Sequence, residues 1–133
     1  MRERVARASV ARLGTVTPDG RPHLVPCCFA LARDRDVIYS AVDGKPKSTR
    51  QLRRLANVRA NPATTLLVDH YAADWTQLWW VRLDGTGRVV EVVEEQRDAL
   101  ALLAAKYSQY RREPPAGPFL ALDVTAWHRW PGP

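Results

Sequence analysis

Residues 9–42 read SVARLGTVTPDGRPHLVPCCFALARDRDVIYSAV. Val10, Leu13 and Val16, with small residues between them, fit a strand over Ser9–Thr17. Pro18-Asp19-Gly20 then marks a tight turn, because proline fixes φ and glycine accepts a positive one. Pro22 to Leu31 reads as the returning strand of a hairpin. Pro26 removes a ladder donor there, so that strand needs a free edge or a bulge. Arg33-Asp34-Arg35-Asp36 is a polar turn, and Val37–Val42 is a third strand. The stretch predicts a three-stranded antiparallel meander.

The rest of the chain repeats this grammar. A helix begins near Ser48, where Gln51 three residues on completes a capping box. Leu52 and Leu55 form its apolar stripe, and Arg50, Arg53 and Arg54 face away. Asn61-Pro62 ends the connection. Thr64–Tyr71 is a strand, and Trp75–Val93 is one long extended run in which Gly85 and Gly87 suggest a bulge or sharp bend. Glu94–Tyr107 is a helix with acids in its first turn and Leu100, Leu103 and Tyr107 on one face. Arg111–Gly117 is a proline-rich loop, and Phe119–Thr125 is a closing strand. Residues 2–8 allow a short helical stub. About six strands joined by hairpins, with two substantial helices, predict a mainly β fold: an antiparallel β-barrel with peripheral helices. A chain of 133 residues fits one domain, 1–133.

Composition narrows the function. No run approaches the apolar length of a membrane helix, and Met-Arg-Glu-Arg leads into no signal-like segment. Cys27 and Cys28 are adjacent and on a strand point to opposite faces, so a mutual disulfide is not expected and a reducing cytoplasm is. His23, His70 and His128 share no metal-ligand spacing, so no metal is expected. Asp69-His70 is no acid–base pair if both lie on one strand. Gly44-Lys45 is not a P-loop, since the upstream glycine is missing and Pro46 stands where a hydroxyl should bind magnesium.

The charge is not spread evenly. From Gly44 to Val68 there is no acid, and Lys45, Lys47, Arg50, Arg53, Arg54 and Arg59 account for the whole formal excess of +6. Two of the three lysines lie here, beside the capped helix start. A solvated helix face is the plain alternative; the lack of acidic partners and the placement of the lysines favour an anion site. Trp79-Trp80 on a strand sends one ring to each face, which offers an aromatic wall to a planar ligand. Nucleic-acid bases could stack on such a wall too. Against nucleic acid, the bases cluster at one loop and no RNA-binding signature accompanies them.

Gly20-Arg21-Pro22-His23-Leu24-Val25-Pro26 with Phe29, Ile38–Lys47, Leu52-Arg53-Arg54 and Asn61-Pro62 together resemble the split β-barrel flavin/deazaflavin oxidoreductases. This is the superfamily of pyridoxamine 5'-phosphate oxidase-like proteins. Val68–Tyr71, Leu78–Arg82, Lys106–Arg111 and Ala121–Thr125 look like its branch of probable coenzyme F-420-dependent enzymes. The resemblance implies a homodimer with two cofactor sites at the subunit interface. It implies that Val25, Pro26 and Cys27 lie along the deazaflavin ring, with Tyr39, Ser40 and Ala41 beside it. Lys45, Lys47, Ser48, Thr49 and Arg50 would hold the phosphate and the start of the anionic tail. Trp79 and Trp80 would reach the cofactor from the other subunit. The leading helix, Met1–Ala8, is shorter than relatives commonly have. The function implied is hydride transfer between reduced F-420 and a small organic substrate. The alternatives are an FMN-dependent oxidase or reductase of the same fold, or a non-catalytic F-420 carrier. Tyr39 and Tyr107 could donate a proton, although a structural role suits each better.

Overall fold

The computed structural model describes residues 1–42 and 49–131, and the side chains of residues 49–52 lie outside that description. Its elements in order are α1 (Arg2–Arg7), β1 (Ala11–Val16), β2 (Pro22–Cys27), β3 (Ala30–Leu31), β4 (Val37–Ala41), α2 (Thr49–Ala60) and β5 (Ala63–His70). A 3-10 turn (Trp75–Gln77), β6 (Trp79–Val89), α3 (Val93–Lys106), α4 (Ser108–Arg112) and β7 (Phe119–Trp130) follow. The described strands form one antiparallel sheet in the order β2-β1-β5-β6-β7-β4-β3. It curls into a split β-barrel, the mainly β architecture that the hairpin pattern predicts. Among the described residues no helix is long and apolar enough to cross a membrane.

The meander is where sequence and structure part. Pro22–Leu31 is not one strand: it breaks at Cys28-Phe29. β2 pairs with β1, whereas β3 pairs with β4 at the opposite end of the strand order. β2 is thus an edge strand, which is where Pro26, lacking an N–H, can sit. The break passes the chain from one end of the curled sheet to the other, which is the split in the barrel.

β4 is buried on both faces and separates two cores. Ile38 and Val42 join the barrel interior with Leu13, Phe29, Leu66 and Leu83. Val37, Tyr39 and Ala41 face a second cluster roofed by Ala99 and Leu103 of α3. α2 closes the barrel side with Leu55 and Val58.

Other boundaries shift. The run from Trp75 starts with the 3-10 turn, capped by Asp74, whose carboxylate accepts from the Thr76 N–H at 3.0 Å. The strand itself covers only Trp79–Val89. α4 occupies part of the expected proline-rich loop, and β7 runs five residues past Thr125 to Trp130. The expected bulge is present: the β6–β7 register slips between Asp84 and Gly85, leaving Thr125 as the extra residue.

Candidate cofactor site

Where β2 ends and β4 approaches α2, the chain leaves a cavity of about 210 Å³ lined by Val10, Pro26, Cys27, Cys28, Ala41, Arg54 and Tyr110. Three of the residues expected along a flat ring, Pro26, Cys27 and Ala41, therefore meet in one place. Ser40 lies on the opposite face of β4 from Ala41, and its hydroxyl donates to the Cys28 carbonyl at 3.0 Å. That bond ties β4 to the chain break and fixes the rear of the cavity. Val25 is absent from the lining and packs instead against the barrel core.

Arg54 is the residue the sequence misplaced. Taken with the Leu52–Leu55 stripe, it belongs on the solvent face. Val58 is buried, however, and Arg54 precedes it by four residues, so the two share a flank of α2. Its Nε is buried and has no hydrogen-bond partner among the described residues. The missed signal was the Arg54–Val58 spacing, which widens the buried face of α2 beyond leucine. An orphaned guanidinium N–H costs free energy unless something anionic or carbonyl-bearing satisfies it. Arg54 itself lines the cavity, and its guanidinium charge there fits an anionic ligand.

The Cys27 thiol is a poor nucleophile in this setting. Burial pushes the Cys27 thiol up to about 11, against the opposing pull of Arg54 and a Ser40 hydrogen bond. Both cysteines are free.

Tyr39 does not face the cavity with its ring. The side chain is fully buried in the second cluster, where its hydroxyl donates to Glu95 and accepts from Arg35, each at 2.6 Å. Tyr107 is equally committed. Its hydroxyl accepts from the Phe29 N–H at 3.1 Å and lies within donating distance of the Ser9 and Phe29 carbonyls, at 2.9 and 3.1 Å. Burial raises its pKa to about 12. It pins the chain break between β2 and β3 to α3. Tyr107→Phe is expected to destabilise the protein by about 1–2 kcal/mol, because the buried Phe29 N–H loses its acceptor. Urea unfolding measures this.

Lys106, beside Tyr107, donates to the Phe29 carbonyl at 2.9 Å and rests 3.7 Å from the Phe29 ring centroid. Burial lowers its pKa to about 8, partly opposed by the nearby cysteines. The third lysine of the chain is thus a clamp on the same chain break.

Lys45, Lys47 and Ser48, and with Ser48 the capping box, lie outside the described residues. Thr49 and Arg50 open α2, but their side chains are likewise outside them. α2 leads from that basic segment directly to Arg54. Trp79 and Trp80 lie elsewhere, at the start of β6. Trp79 packs against the barrel core, and Trp80 is on the other face of the strand, opposite Trp130. Asp69 and His70 diverge as expected: Asp69 pairs with Arg12 at 3.7 Å, and His70 is exposed. Among the described residues no group of His, Cys, Asp or Glu could hold a metal ion.

A single curled antiparallel sheet with a small cavity between its edge strand and α2 defines the class of split β-barrels. Residues 1–131 match the model of the pyridoxamine 5'-phosphate oxidase family, and the chain belongs to that family. A conserved hypothetical protein of Mycobacterium tuberculosis superposes with a TM-score of 0.77 at 18% identity, over 96% of this chain and 80% of that one. The heme storage protein HutZ of Vibrio cholerae gives 0.70 at 16% identity, over 96% and 89%. An FAD-binding protein of Mesorhizobium loti gives 0.66 at 20% identity, over 96% and 89%. At these identities the likeness is one of fold. No curated protein matches the chain.

Proposed function

We propose that the protein is an oxidoreductase that uses the deazaflavin coenzyme F-420 to reduce a small organic substrate. The carrying observation is Arg54, which lines a cavity with Pro26, Cys27 and Ala41 and whose buried Nε has no hydrogen-bond partner among the described residues. Family membership supports a flavin-type ligand. The six-base, acid-free window favours the ligand with more negative charge, since F-420 bears a phosphodiester and glutamyl carboxylates. When bound, the deazaflavin supplies the hydride. The chain's own residues bind and orient it. Arg54 donates to an anionic or carbonyl oxygen, Pro26 and Ala41 leave room for a flat face, and Lys45, Lys47, Ser48, Thr49 and Arg50 hold the phosphorylated end. Lys47→Ala is expected to weaken cofactor binding and leave the fold intact.

The assembly that suits this reading is a cytoplasmic homodimer in which Trp79 and Trp80 reach the partner's site. Arg54→Gln is expected to weaken F-420 binding by about tenfold or more, the usual scale for a desolvated charge-assisted hydrogen bond, and calorimetry checks it. Enzyme and carrier separate on turnover. Reduced F-420 incubated with quinones, enones and biliverdin is expected to be oxidised only with protein present. Binding without oxidation makes the protein a carrier.

A further inference from the structure

Two depressions, of about 340 and 360 Å³, flank the start of β6 and share Arg4 and Pro131 in their linings. Trp79 lines one, and Trp80 with Trp130 and Arg129 lines the other. They form one cleft wrapped around the strand end. Strand pleating sets it up: consecutive indoles on β6 point to opposite faces, and antiparallel pairing puts Trp130 opposite Trp80.

Its charge differs from that of its surroundings. Neighbouring arginines on the same sheet are neutralised, Arg12 by Asp69 and Arg82 by Asp84 at 3.2 Å. Among the described residues Arg4 and Arg129 have no ion-pair partner and no carboxylate lines either depression. The Arg4 guanidinium sits 5.3 Å from the Trp79 ring centroid, a cation–π contact that holds it at the cleft. Indole faces beside unneutralised guanidinium groups match a flat ring carrying a carboxylate: the ring stacks and the acid takes a bidentate hydrogen bond.

We propose that this cleft binds planar aromatic carboxylates and that, in the homodimer proposed above, where Trp79 and Trp80 reach the partner's site, such an acid is the class of substrate the enzyme takes. The substrate role rests on the oxidoreductase reading; the binding does not. Each depression has room for one or two fused rings, and Arg129 and Arg4 receive the carboxylate.

The test uses the apo protein labelled with nitrogen-15, with 2-naphthoate and its neutral amide, 2-naphthamide, as probes. The five tryptophan indole N–H signals report the site. Those of Trp79, Trp80 and Trp130 are expected to shift with naphthoate. That of Trp127, which donates to Asp36 at 3.3 Å, is expected to stay. The amide should bind about tenfold more weakly, as should the acid to Arg129→Gln or Arg4→Gln. Both arginines are exposed, so neither change threatens the fold. Equal affinity for acid and amide, or three unmoved indoles, overturns the proposal. Failure of F-420 to bind in a parallel titration removes the substrate role and leaves the carboxylate site standing.

Discussion

Gly85→Ala is expected to cost about 3 kcal/mol, at the upper end of overpacking penalties. A Cβ on Gly85 would lie 2.0 Å from the Asp123 carbonyl oxygen and 2.9 Å from its carbon. Those atoms are backbone, so no side-chain rotation relieves the clash, and the β6–β7 ladder must open at its bulge. That ladder is the longest in the sheet and presents Asp123 to Arg88. Urea unfolding should show a lower midpoint with an unchanged slope, and a loss below about 1 kcal/mol would mean that the bulge has slack.

Arg88→Met is the second large effect. Arg88 donates to both oxygens of Glu95 at 2.6 and 2.8 Å and to both of Asp123 at 2.7 and 3.1 Å. Glu95 in turn receives the Tyr39 hydroxyl. Removing the arginine leaves two carboxylates facing each other beneath α3. A fully buried pair broken this way costs about 3–5 kcal/mol. The Arg88 side chain is 39% exposed, so solvent screening reduces the expectation to about 2 kcal/mol.

The same cluster sets an acid dependence. Hydrogen bonds from Arg88 hold the Glu95 carboxyl down at about 2, below its ordinary 4.5. A depressed folded-state pKa contributes stability that is fully present above pH 4.5 and is lost as the pH falls toward 2. Wild-type stability is therefore expected to decline between pH 5 and 2, and Arg88→Met should flatten that part of the curve. Thermal unfolding at stepped pH reads the difference, and parallel curves for the two proteins would remove Glu95 from the account.

Much of the fold was legible because strands of this protein carry their signals locally. Val37–Val42 and Thr64–Tyr71 are β-branched and apolar, and Pro18-Asp19-Gly20 can hardly be anything but a turn. The two-way split of Pro22–Leu31 was not legible. Nothing in Cys27-Cys28-Phe29 announces a break, since its cause is a tertiary one: Tyr107 and Lys106, almost 80 positions away, hold the Phe29 backbone. The last residues of β7 were missed because Trp127-His128-Arg129-Trp130 has no apolar alternation. They are strand because β6 opposite them is strand.

The site was half legible for a similar reason. Charge counting located the basic window, but the direction of one arginine depends on how α2 rolls against the barrel. Arg54 points inward because Val58 does. Tyr39 was drawn toward the ring by resemblance, whereas its hydroxyl is already engaged by Glu95 and Arg35 in the second core.

The central claim is that the cavity at Pro26, Cys27, Ala41 and Arg54 belongs to an F-420 site. Titration of the apo protein with F-420 and with FMN, followed by absorbance and fluorescence, tests it most directly. The account predicts saturable F-420 binding, weakened in Arg54→Gln, with FMN binding more weakly. Tight FMN binding with no F-420 binding would contradict it.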